Sequence, residues 1–582
     1  MADTGDKVTR KYSNFRGVDF RGEDCSLNRS PDSLNVWRDY KKLASIETRP
    51  GLERIVTMDK GVKSMKWHKG NLYFVGGDGY VYRWNKAEGS TRIYTVLAPN
   101  PILFEFNGKL YVMGNSYYVC ITDNKDVEPY IPTTSIGRKP SGGGQIHEDV
   151  NMLTPYRYNT FLGDGKSATF HLDTKDIDTY YHPQVWVNDE PIDEGNITVN
   201  PKEGIVMLAS GSTPPAPKTD GQDNVKILFK KNNDADYAKI VLCTMAQEFD
   251  NRVFFSGNPQ YPSTVWHSSL DDPSYFSDLD YYVDGVDQAP IRSMVAGNNA
   301  LWVFRDESES NSSVFYHTPA LDSEYGKVYP SSHSSISLAC VGRAVNFNDD
   351  IVFFSQRGME GVSTDITTEQ FVTHRSSMVD RKMATDPKYK DMILAEWEGY
   401  LLVFLGSDVY LADSRAMLTN ENHTEYEWYH WNFGRCSVSC VAVQDGVLYI
   451  AMNEGHIYTL TGDPKDGDNV SGYSPDGDKW QDQMYIDSYW TTPKDKFGTP
   501  NKLKTTNKKG CVVEAKGDVS VYAKVEDSDF ELIGSNNGVE DYFVSRIKRK
   551  KFKDIQLKFQ SHTGFCLESA SLECFIGGYI KR

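Results

Sequence analysis

The chain has 582 residues, 39% of them hydrophobic and 13% aromatic, which is enough apolar material for sizeable cores and excludes a disordered chain. Its formal net charge of −17 argues against a sequence-independent nucleic-acid binder, whose surface should be basic. No apolar run approaches the roughly eighteen residues of a membrane helix, so we expect no membrane insertion. The length predicts about two to four domains, and the 35 tyrosines and 27 phenylalanines favour strands over helices.

The N-terminal region, residues 1–52, differs from the rest of the chain. It begins MADTGDKVTRKYSNF, without the hydrophobic core of a signal peptide, and we expect a protein made and kept in a cytoplasm. The stretch from Lys7 to Leu52 is polar, contains Gly and precedes the first clear hairpin. Because such a segment cannot build a core alone, we predict a spare arm that becomes ordered at an interface.

Hairpin-like segments recur along the chain, each with a polar or Gly turn followed by alternating large apolar residues. The spacings between their first apolar residues are 38, 143, 48, 50, 50 and 47, and five of these six suit β-propeller blades of about 40–50 residues. We predict an all-β fold, a β-propeller of six or seven blades, in residues 53–150 and 236–465. A pair of β-sandwiches with coincidental spacing is the alternative. The seven first apolar residues are Leu72, Leu110, Val253, Leu301, Ile351, Leu401 and Leu448.

The spacing of 143 residues exceeds one blade by about 95 residues, which is enough for a small domain. Within it VWVNDEPI, NITVNPKEGIVML and VKILF alternate around turn residues. We predict a small β-sandwich inserted at residues 151–235, with its strands between about Leu153 and Lys231. Insertions of this kind are tolerated in surface loops at small thermodynamic cost.

The pattern changes again after Gly462. Residues 466–481 are acidic and loop-like but lack the ligand spacing and final Glu of an EF-hand, so we predict a linker and no calcium loop. Residues 482–582 alternate and predict a C-terminal β-sandwich. Their basic run, RIKRKKFK at Arg546–Lys553, fits an edge strand protected by lysines better than a polyanion contact.

Nine cysteines are scattered along the chain without a CxxC pair. Cys436 and Cys440 are four residues apart, and Cys566 and Cys574 are eight apart, but no histidines are placed to complete a tetrahedral zinc site. We predict buried free thiols in a reducing compartment.

The search for catalytic chemistry finds no nucleophile elbow, P-loop, zincin or dinucleotide-binding motif. His423 and His430 lie in an aromatic segment and fit packing or hydrogen bonding better than metal ligation. Asp271, Asp272 and Asp278 lie beside aromatic residues, as the carboxylates of a propeller glycosidase would, but we favour polar turns. We predict no catalytic, cofactor-binding or metal-binding residue, no cofactor and no enzymatic activity.

Four segments, taken in chain order, carry a resemblance to a known family. The chain resembles bacteriophage tail proteins, in particular the β-propeller nozzle proteins (tail tubular protein B and its relatives) of short-tailed phages. In the third segment Gly257 permits the turn, Trp266, Tyr275 and Phe276 would fill the gap between blades, and the Asp-Asp-Pro turn is a cap. The four segments are Asn14–Leu52; LGDGKSATFHL with VWVNDEPI; NRVFFSGNPQYPSTVWHSSLDDPSYFSDL at Asn251–Leu279; and SYWTTPKDKFGTPNKLK with the closing FIGGYIKR.

This resemblance implies a structural virion protein, synthesised in the host bacterial cytoplasm and assembled into the phage tail. Copies would form a cyclic homo-oligomeric ring, a hexamer, below the portal and adaptor and in contact with tail fibre or spike proteins. Double-stranded DNA would pass through an acidic lumen without sequence recognition during genome retention and ejection. The alternatives are a propeller that binds or cleaves glycans in a central pocket, and a scaffold that binds peptides on its top face.

Overall fold

The computed structural model describes most of the chain, which divides into two compact units. Unit 1 comprises residues 1–95 and 335–582, and unit 2 comprises residues 96–334. The described residues are 6–40, 45–209, 216–217, 219, 221–232, 234–307, 313–323, 326–334, 336–362, 372–420, 423–473, 479–548 and 551–579.

Unit 1 contains four antiparallel four-stranded sheets, named blades 1, 5, 6 and 7 in chain order. In blades 1, 5 and 6 each strand pairs with the next strand of the sequence. Blade 1 consists of Val62–His68, Asn71–Gly76, Tyr80–Asn85 and Gly89–Thr95; blade 5 of Ala344–Phe347, Asp350–Ser355, Gly358–Val362 and Val372–His374; blade 6 of Ile393–Trp397, Tyr400–Leu405, Asp408–Asn420 and His423–Asn432.

Blade 7 takes its outer strand from the beginning of the chain. Its first three strands are consecutive, and Gly51–Val56 pairs with the third, so that Val56 lies opposite Ile457. A single sheet thereby joins the N-terminal and C-terminal parts of unit 1. The three consecutive strands are Val438–Gln444, Val447–Met452 and Ile457–Gly462.

Unit 2 contains blades 2, 3 and 4, which are also antiparallel four-stranded sheets. A hairpin of Ala320–Asp322 and Gly326–Val328 precedes the last strand of blade 4. Blade 2 consists of Ile102–Phe106, Lys109–Gly114, Tyr117–Cys120 and Lys125–Asp126; blade 3 of Met245–Phe249, Arg252–Ser256, Thr264–His267 and Tyr281–Val283; blade 4 of Ile291–Gly297, Ala300–Arg305, Val314–His317 and Ser331–His333.

The same turn joins the first two strands of all seven blades. Two residues separate those strands in each case, and both have positive φ. This is the arrangement of a type I′ hairpin, whose twist matches that of the strands and which favours Asn, Asp and Gly. The sequence repeat therefore has a local physical cause. The seven turns are Lys69-Gly70, Asn107-Gly108, Asp250-Asn251, Asn298-Asn299, Asn348-Asp349, Glu398-Gly399 and Asp445-Gly446.

The insertion in unit 2 is built from two sheets that share one hydrophobic cluster, which includes Phe161, Phe170, Val206 and Ile227. The larger sheet includes the strand Thr133–Arg138, which pairs in parallel with Tyr156–Phe161. The domain therefore begins at about residue 133, upstream of the predicted start at 151. In order across it, the six strands are Gln145–Ile146, Thr133–Arg138, Tyr156–Phe161, Val225–Lys230, Gln184–Val187 and Glu190–Pro191; the smaller sheet has Thr169–His171, Ile205–Leu208 and Ile197–Asn200.

The C-terminal region of unit 1 forms a sheet of eleven strands around the long strand Lys502–Val525. Four of its strands come from the first 52 residues, so the sheet is not confined to the predicted range of 482–582. The other ten strands are Asp6–Tyr12, Ser33–Leu34, Val36–Trp37, Ile46–Thr48, Ser488–Thr491, Glu531–Asn537, Tyr542–Ser545, Lys551–Phe552, Ile555–Ser561 and Phe565–Tyr579.

The N-terminal segment is ordered within its own chain, which corrects the prediction of a spare arm. Strand Asp6–Tyr12 pairs with Phe565–Tyr579 over seven residues. Tyr12, Phe15 and Trp37 are buried in the same cluster as apolar residues of blades 6 and 7 and the C-terminal sheet. The segment does lack the apolar residues for a core of its own, but residues more than 350 positions away supply the partners.

Two buried ion pairs anchor this segment. Arg29 donates to the Glu427 carboxylate at 2.7 Å, and both side chains are at most 5% exposed. Arg49 forms a two-pronged pair with Asp468. Because a buried charge without its partner is costly, each arginine ties the segment to a defined place in unit 1.

Part of the predicted linker at 466–481 forms strands. Asp468–Tyr473 pairs with Lys479–Met484 in an antiparallel hairpin. The described helices are short: α-helices at Asp234–Val241 and Asp380–Met383, and 3-10 helices at Glu194–Asn196, Tyr389–Asp391 and Pro464–Asp466. No helix of the described ranges is long and apolar enough to cross a membrane.

Candidate functional site

The segment Asn251–Leu279 contributes the two inner strands of blade 3, Arg252–Ser256 and Thr264–His267. Gly257 has a φ of 77°, as its turn requires. Trp266 and Phe276 are buried in one cluster with aromatic residues of blade 2, so they fill the space between two blades as predicted. Tyr275 differs, because its hydroxyl donates a hydrogen bond to a main-chain oxygen at the surface.

The structure does not unite the three candidate carboxylates in one reactive group. Asp271 lies in a turn with a φ of 57°, and its N–H donates to the main-chain oxygen of Asn251. The Asp272 carboxylate accepts hydrogen bonds from the N–H and the hydroxyl of Ser274, at 2.8 and 2.6 Å. These are the contacts of a turn and its cap. Asp278 belongs instead to a second group of acidic residues.

This second group comprises Asp149, Asp278 and Asp280, of which Asp280 lies near His267. Partial desolvation and the Asp149 charge raise the pKa of Asp278, and burial raises the pKa of Asp280 to about 6. The Asp280 carboxylate lies 3.8 Å from Nε2 of His267, whose pKa burial lowers to about 4. At neutral pH the imidazole of His267 is therefore uncharged, so it forms no ion pair with the nearby carboxyl group of Asp280.

A buried histidine–carboxylate pair supports blade 4. Nε2 of His317 lies 3.0 Å from the Asp284 carboxylate, and both side chains are fully buried. Burial lowers the pKa of His317, but the hydrogen bond and charge of Asp284 outweigh it and raise that pKa. Ser331 also donates to Asp284, and the other ring nitrogen of His317 bonds to the oxygen of Tyr329. Sequence analysis missed this pair, since 33 residues and no motif connect its members.

Of the two histidines considered as metal ligands, His430 has a described side chain, and that side chain contacts other groups. Nε2 of His430 lies 2.7 Å from the Asp408 carboxylate, and its ring stacks on Tyr410 with centroids 4.7 Å apart. The predicted packing and hydrogen bonding of His430 are confirmed, whereas the side chain of His423 lies outside the described residues. Among the described residues, no group of three or more His, Cys, Asp and Glu side chains could hold a metal ion.

All nine cysteines are free thiols, and six of them are buried, including Cys436 and Cys574. Cys440 and Cys566 are partly exposed. Burial raises the pKa of Cys440 to about 12, so this thiol stays protonated and unreactive at neutral pH. The prediction of free thiols is confirmed. The prediction that they are buried holds for six of the nine cysteines.

An apolar surface lies at the outer edge of blade 3. Its strand Tyr281–Val283 pairs with a neighbour on one side only. Four residues here form what we call the blade-3 patch, with exposed fractions from 47% to 92%: Leu279, Tyr281, Val283 and Val286. The exposed Asp271 and Asp278 lie close to it in the sequence. Exposed apolar surface at a sheet edge is typical of a place where another chain binds.

A second apolar surface lies at the edge of the C-terminal sheet. Leu532, Tyr542 and Val544, which we call the C-terminal patch, are 47–60% exposed. The basic run begins beside them, and Arg546 and Lys548 line a groove of about 280 Å³ together with Leu532.

The prediction of an edge strand holds for only two residues of this run, Lys551–Phe552, while Arg546, Ile547 and Lys548 lie outside any strand. Ile547 and Phe552 are buried, while Arg546, Lys548, Lys551 and Lys553 are exposed. Strand Lys551–Phe552 pairs only with the long central strand of the sheet. Residues 549–550 lie outside the described residues.

Comparison with known proteins gives no family for this chain. No protein-family model matches it, and no curated protein does. Solved structures with which it aligns include BamB from Moraxella catarrhalis (8% identity, 78% of this chain and 97% of that one, TM-score 0.33) and Sqt1 from Saccharomyces cerevisiae (10% identity, 71% and 98%, TM-score 0.34). The WD40 β-propeller domain of Doa1 aligns at 10% identity over 70% of this chain and 96% of that one, with a TM-score of 0.30. Likeness at these TM-scores carries no argument about function.

The seven four-stranded antiparallel sheets in the described residues, each with the same first turn, define the class. The chain is an all-β protein with the β-propeller fold.

Proposed function

We propose that this protein is a structural component of a tailed-bacteriophage virion, one subunit of a tail ring that continues the DNA channel below the portal and adaptor. The order of four nozzle-like segments along the sequence supports this proposal, and the β-propeller fold is compatible with it. The candidate carboxylates Asp271 and Asp272 serve a turn and a cap, which also suits an architectural protein.

The observation that carries the proposal is the presence of two different exposed apolar patches. A closed ring with head-to-tail contacts needs two distinct surfaces that bind each other, whereas a two-fold dimer uses one surface twice. The blade-3 patch is accompanied by exposed aspartates, and the C-terminal patch by exposed arginine and lysine side chains. Their apolar character and opposite charges suit contact between neighbouring subunits.

The ring would be a hexamer that also binds the adaptor or portal and tail fibre or spike proteins. Double-stranded DNA would pass through it without sequence recognition, during both genome retention and ejection. The net charge of −17 supports this role, since an acidic lumen repels phosphate and lets DNA slide with little friction. The protein would be made in the bacterial cytoplasm and function in the virion tail.

Cryo-electron microscopy of the virion tests the proposal. We expect six copies in a ring around the DNA channel. Density for a single copy, or for copies on the capsid away from the tail axis, would contradict it. A specific glycan-cleaving activity that is lost when Asp271, Asp272 and Asp278 are changed together to Asn would favour the propeller-glycosidase alternative.

A further inference from the structure

The inserted domain of unit 2 carries a small pocket on one face of its six-stranded sheet. Its volume is about 230 Å³. This is below the roughly 300–1,000 Å³ of pockets that enclose drug-sized ligands, so it suits one ring of a ligand. The lining includes aromatic, amide, acidic and basic side chains: Trp186, Asn188, Asp189, Gln222, Asp223 and Lys226.

Strand alternation places the aromatic wall of this pocket. In strand Gln184–Val187 the side chains of Val185 and Val187 enter the hydrophobic cluster of the domain, so Trp186 lies on the opposite face. Lys226 is its direct cross-strand neighbour and belongs to the same face. Nζ of Lys226 lies 3.8 Å from the centre of the Tyr158 ring. The partly exposed indole of Trp186 lies near this pair, with its ring centroid 6.3 Å from that of Tyr158.

Polar groups border the indole because the strand ends in a tight turn. Asn188 and Asp189 have φ values of 51° and 68°, as in the hairpin turns of the blades. The Asn188 N–H donates to the main-chain oxygen of Asn224 at 2.8 Å, which fixes this turn beside the segment that supplies Gln222. Amide and carboxylate groups therefore meet at the edge of the aromatic wall.

Asp223 lines this pocket, and its two carboxylate oxygens have different surroundings. One carboxylate oxygen accepts hydrogen bonds from the Gly137 N–H, at 2.9 Å, and from the Thr160 hydroxyl. The other oxygen, Oδ1, is buried and has no hydrogen-bond partner among the described residues. A buried acceptor without a donor has lost its hydrogen bonds to water and gained none in exchange. Oδ1 is closed off from solvent, so a ligand hydroxyl would reach this acceptor only after the side chains around it shift.

We propose that this pocket binds a single pyranose ring of a neutral carbohydrate. The apolar C–H face of a sugar packs on an indole, and its hydroxyls donate to carboxylates and exchange hydrogen bonds with amides. Two lining carboxylates, Asp189 and Asp223, disfavour an anionic ligand. The site lies wholly within the insertion, so one subunit carries it whether or not subunits form a ring.

Ligand-observed NMR of the full chain tests this assignment, with methyl glycosides of glucose, galactose, mannose and N-acetylglucosamine as probes. We expect saturation transfer to the ring protons of at least one probe. Trp186→Ala should abolish it, and Gln222→Ala, at an exposed position, should weaken binding at least severalfold. Trp302→Ala is the matched control, since this partly exposed indole packs on Tyr316 in blade 4.

Each outcome decides the question. Absence of transfer to every probe, or binding that survives both pocket variants, overturns the assignment. If Trp186→Ala fails to fold by circular dichroism, Gln222→Ala alone decides. Loss of binding in Trp302→Ala would mean that the probes bind elsewhere. Ring formation by a variant that no longer binds sugars would separate this assignment from the proposed tail function.

Discussion

Single residues show how closely the N-terminal segment is fitted to blade 6. A Cβ at Gly17 would overlap the main-chain oxygen of Trp428, and the Gly17 N–H donates to the Glu427 carboxylate at 3.0 Å. Only hydrogen fits in this position. The backbone of the segment, and not only its side chains, therefore contributes to the stability of unit 1.

Gly17→Ala should lower the free energy of unfolding by about 1–3 kcal/mol or more, because the added methyl group forces main-chain atoms apart. Gly22→Ala is the control, since a Cβ there meets nothing within 4 Å. It should be neutral or slightly stabilising, as the alanine restricts the unfolded chain. Urea denaturation measures both. Equal stabilities would show that the segment does not pack as described.

The acidic group of blade 3 predicts a pH dependence. Burial raises the pKa of Asp280 from 3.8 to about 6, so the folded state binds this proton more tightly than the unfolded state. The resulting stabilisation is complete below pH 3.8 and is lost as the pH rises through 6. Asp280→Asn should therefore stabilise the protein at about pH 8, and the difference should vanish below about pH 4.

Thermal unfolding between about pH 4 and pH 8 measures this difference. Asp164→Asn is a control of opposite sign, because N–H groups of Ser167 and Lys166 bond to the Asp164 carboxylate and lower its pKa. That change should destabilise the protein at the alkaline end of the range and matter less in acid. If Asp280→Asn destabilises the protein at about pH 8, burial of the ionised Asp280 carboxylate is not unfavourable and the prediction is wrong.

At the scale of elements, strand Asp6–Tyr12 completes the C-terminal sheet. Its hydrogen bonds cover one side of the strand Phe565–Tyr579. Tyr12 donates to the buried Asp495 carboxylate at 2.9 Å, and Arg10 forms an ion pair with it at 2.8 Å. Loss of the strand would expose a sheet edge and leave the buried Asp495 carboxylate with the Phe497 N–H but without Tyr12 and Arg10.

Deletion of residues 1–12 should lower the unfolding midpoint of the isolated subunit and increase its aggregation through the exposed edge. Deletion of residues 1–5 is the control and should change neither property. Differential scanning fluorimetry and light scattering report the two effects. A deletion of residues 1–12 that left the subunit unchanged but prevented ring assembly would restore the idea of an arm that binds a neighbour.

At the scale of the whole molecule, the two apolar patches predict a charge-dependent ring. Arg546→Glu with Lys548→Glu should reduce the number of rings in electron micrographs of assembled tails, since both residues lie beside the C-terminal patch. Adding Asp271→Lys with Asp278→Lys should restore part of the assembly. The defect should depend on salt, because exposed charges are screened within about 8 Å at physiological ionic strength.

Lys60→Glu with Lys86→Glu provides the matched control. Both lysines are exposed in unit 1, and the pair changes the net charge by the same amount as the first double variant. Rings should form normally with this control. If the control and the patch variant assemble equally well, the patches do not form the subunit interface.

Local features of the fold were predictable from the sequence. The blade hairpins depend on two adjacent residues with positive φ, as at Asn107-Gly108 and Asp445-Gly446, and on alternation in the strands that flank them. Such signals lie within about a dozen residues, so seven hairpins, the all-β class and the site of an insertion could be predicted. The architectural roles of Trp266 and Asp272 follow from the same local chemistry.

Features that depend on distant residues could not be predicted. Strand Asp6–Tyr12 pairs with a strand near the opposite end of the chain, and His317 pairs with Asp284. Trp186 and Asp223 line one pocket although 37 residues separate them in the sequence. Alternation in a sequence reports which residues share a face of a strand, but not which strand lies beside it. The amino-acid pattern therefore established the class of fold and its hairpins, whereas long-range pairing determined the place of the N-terminal segment, the buried polar pairs and the sugar-sized pocket.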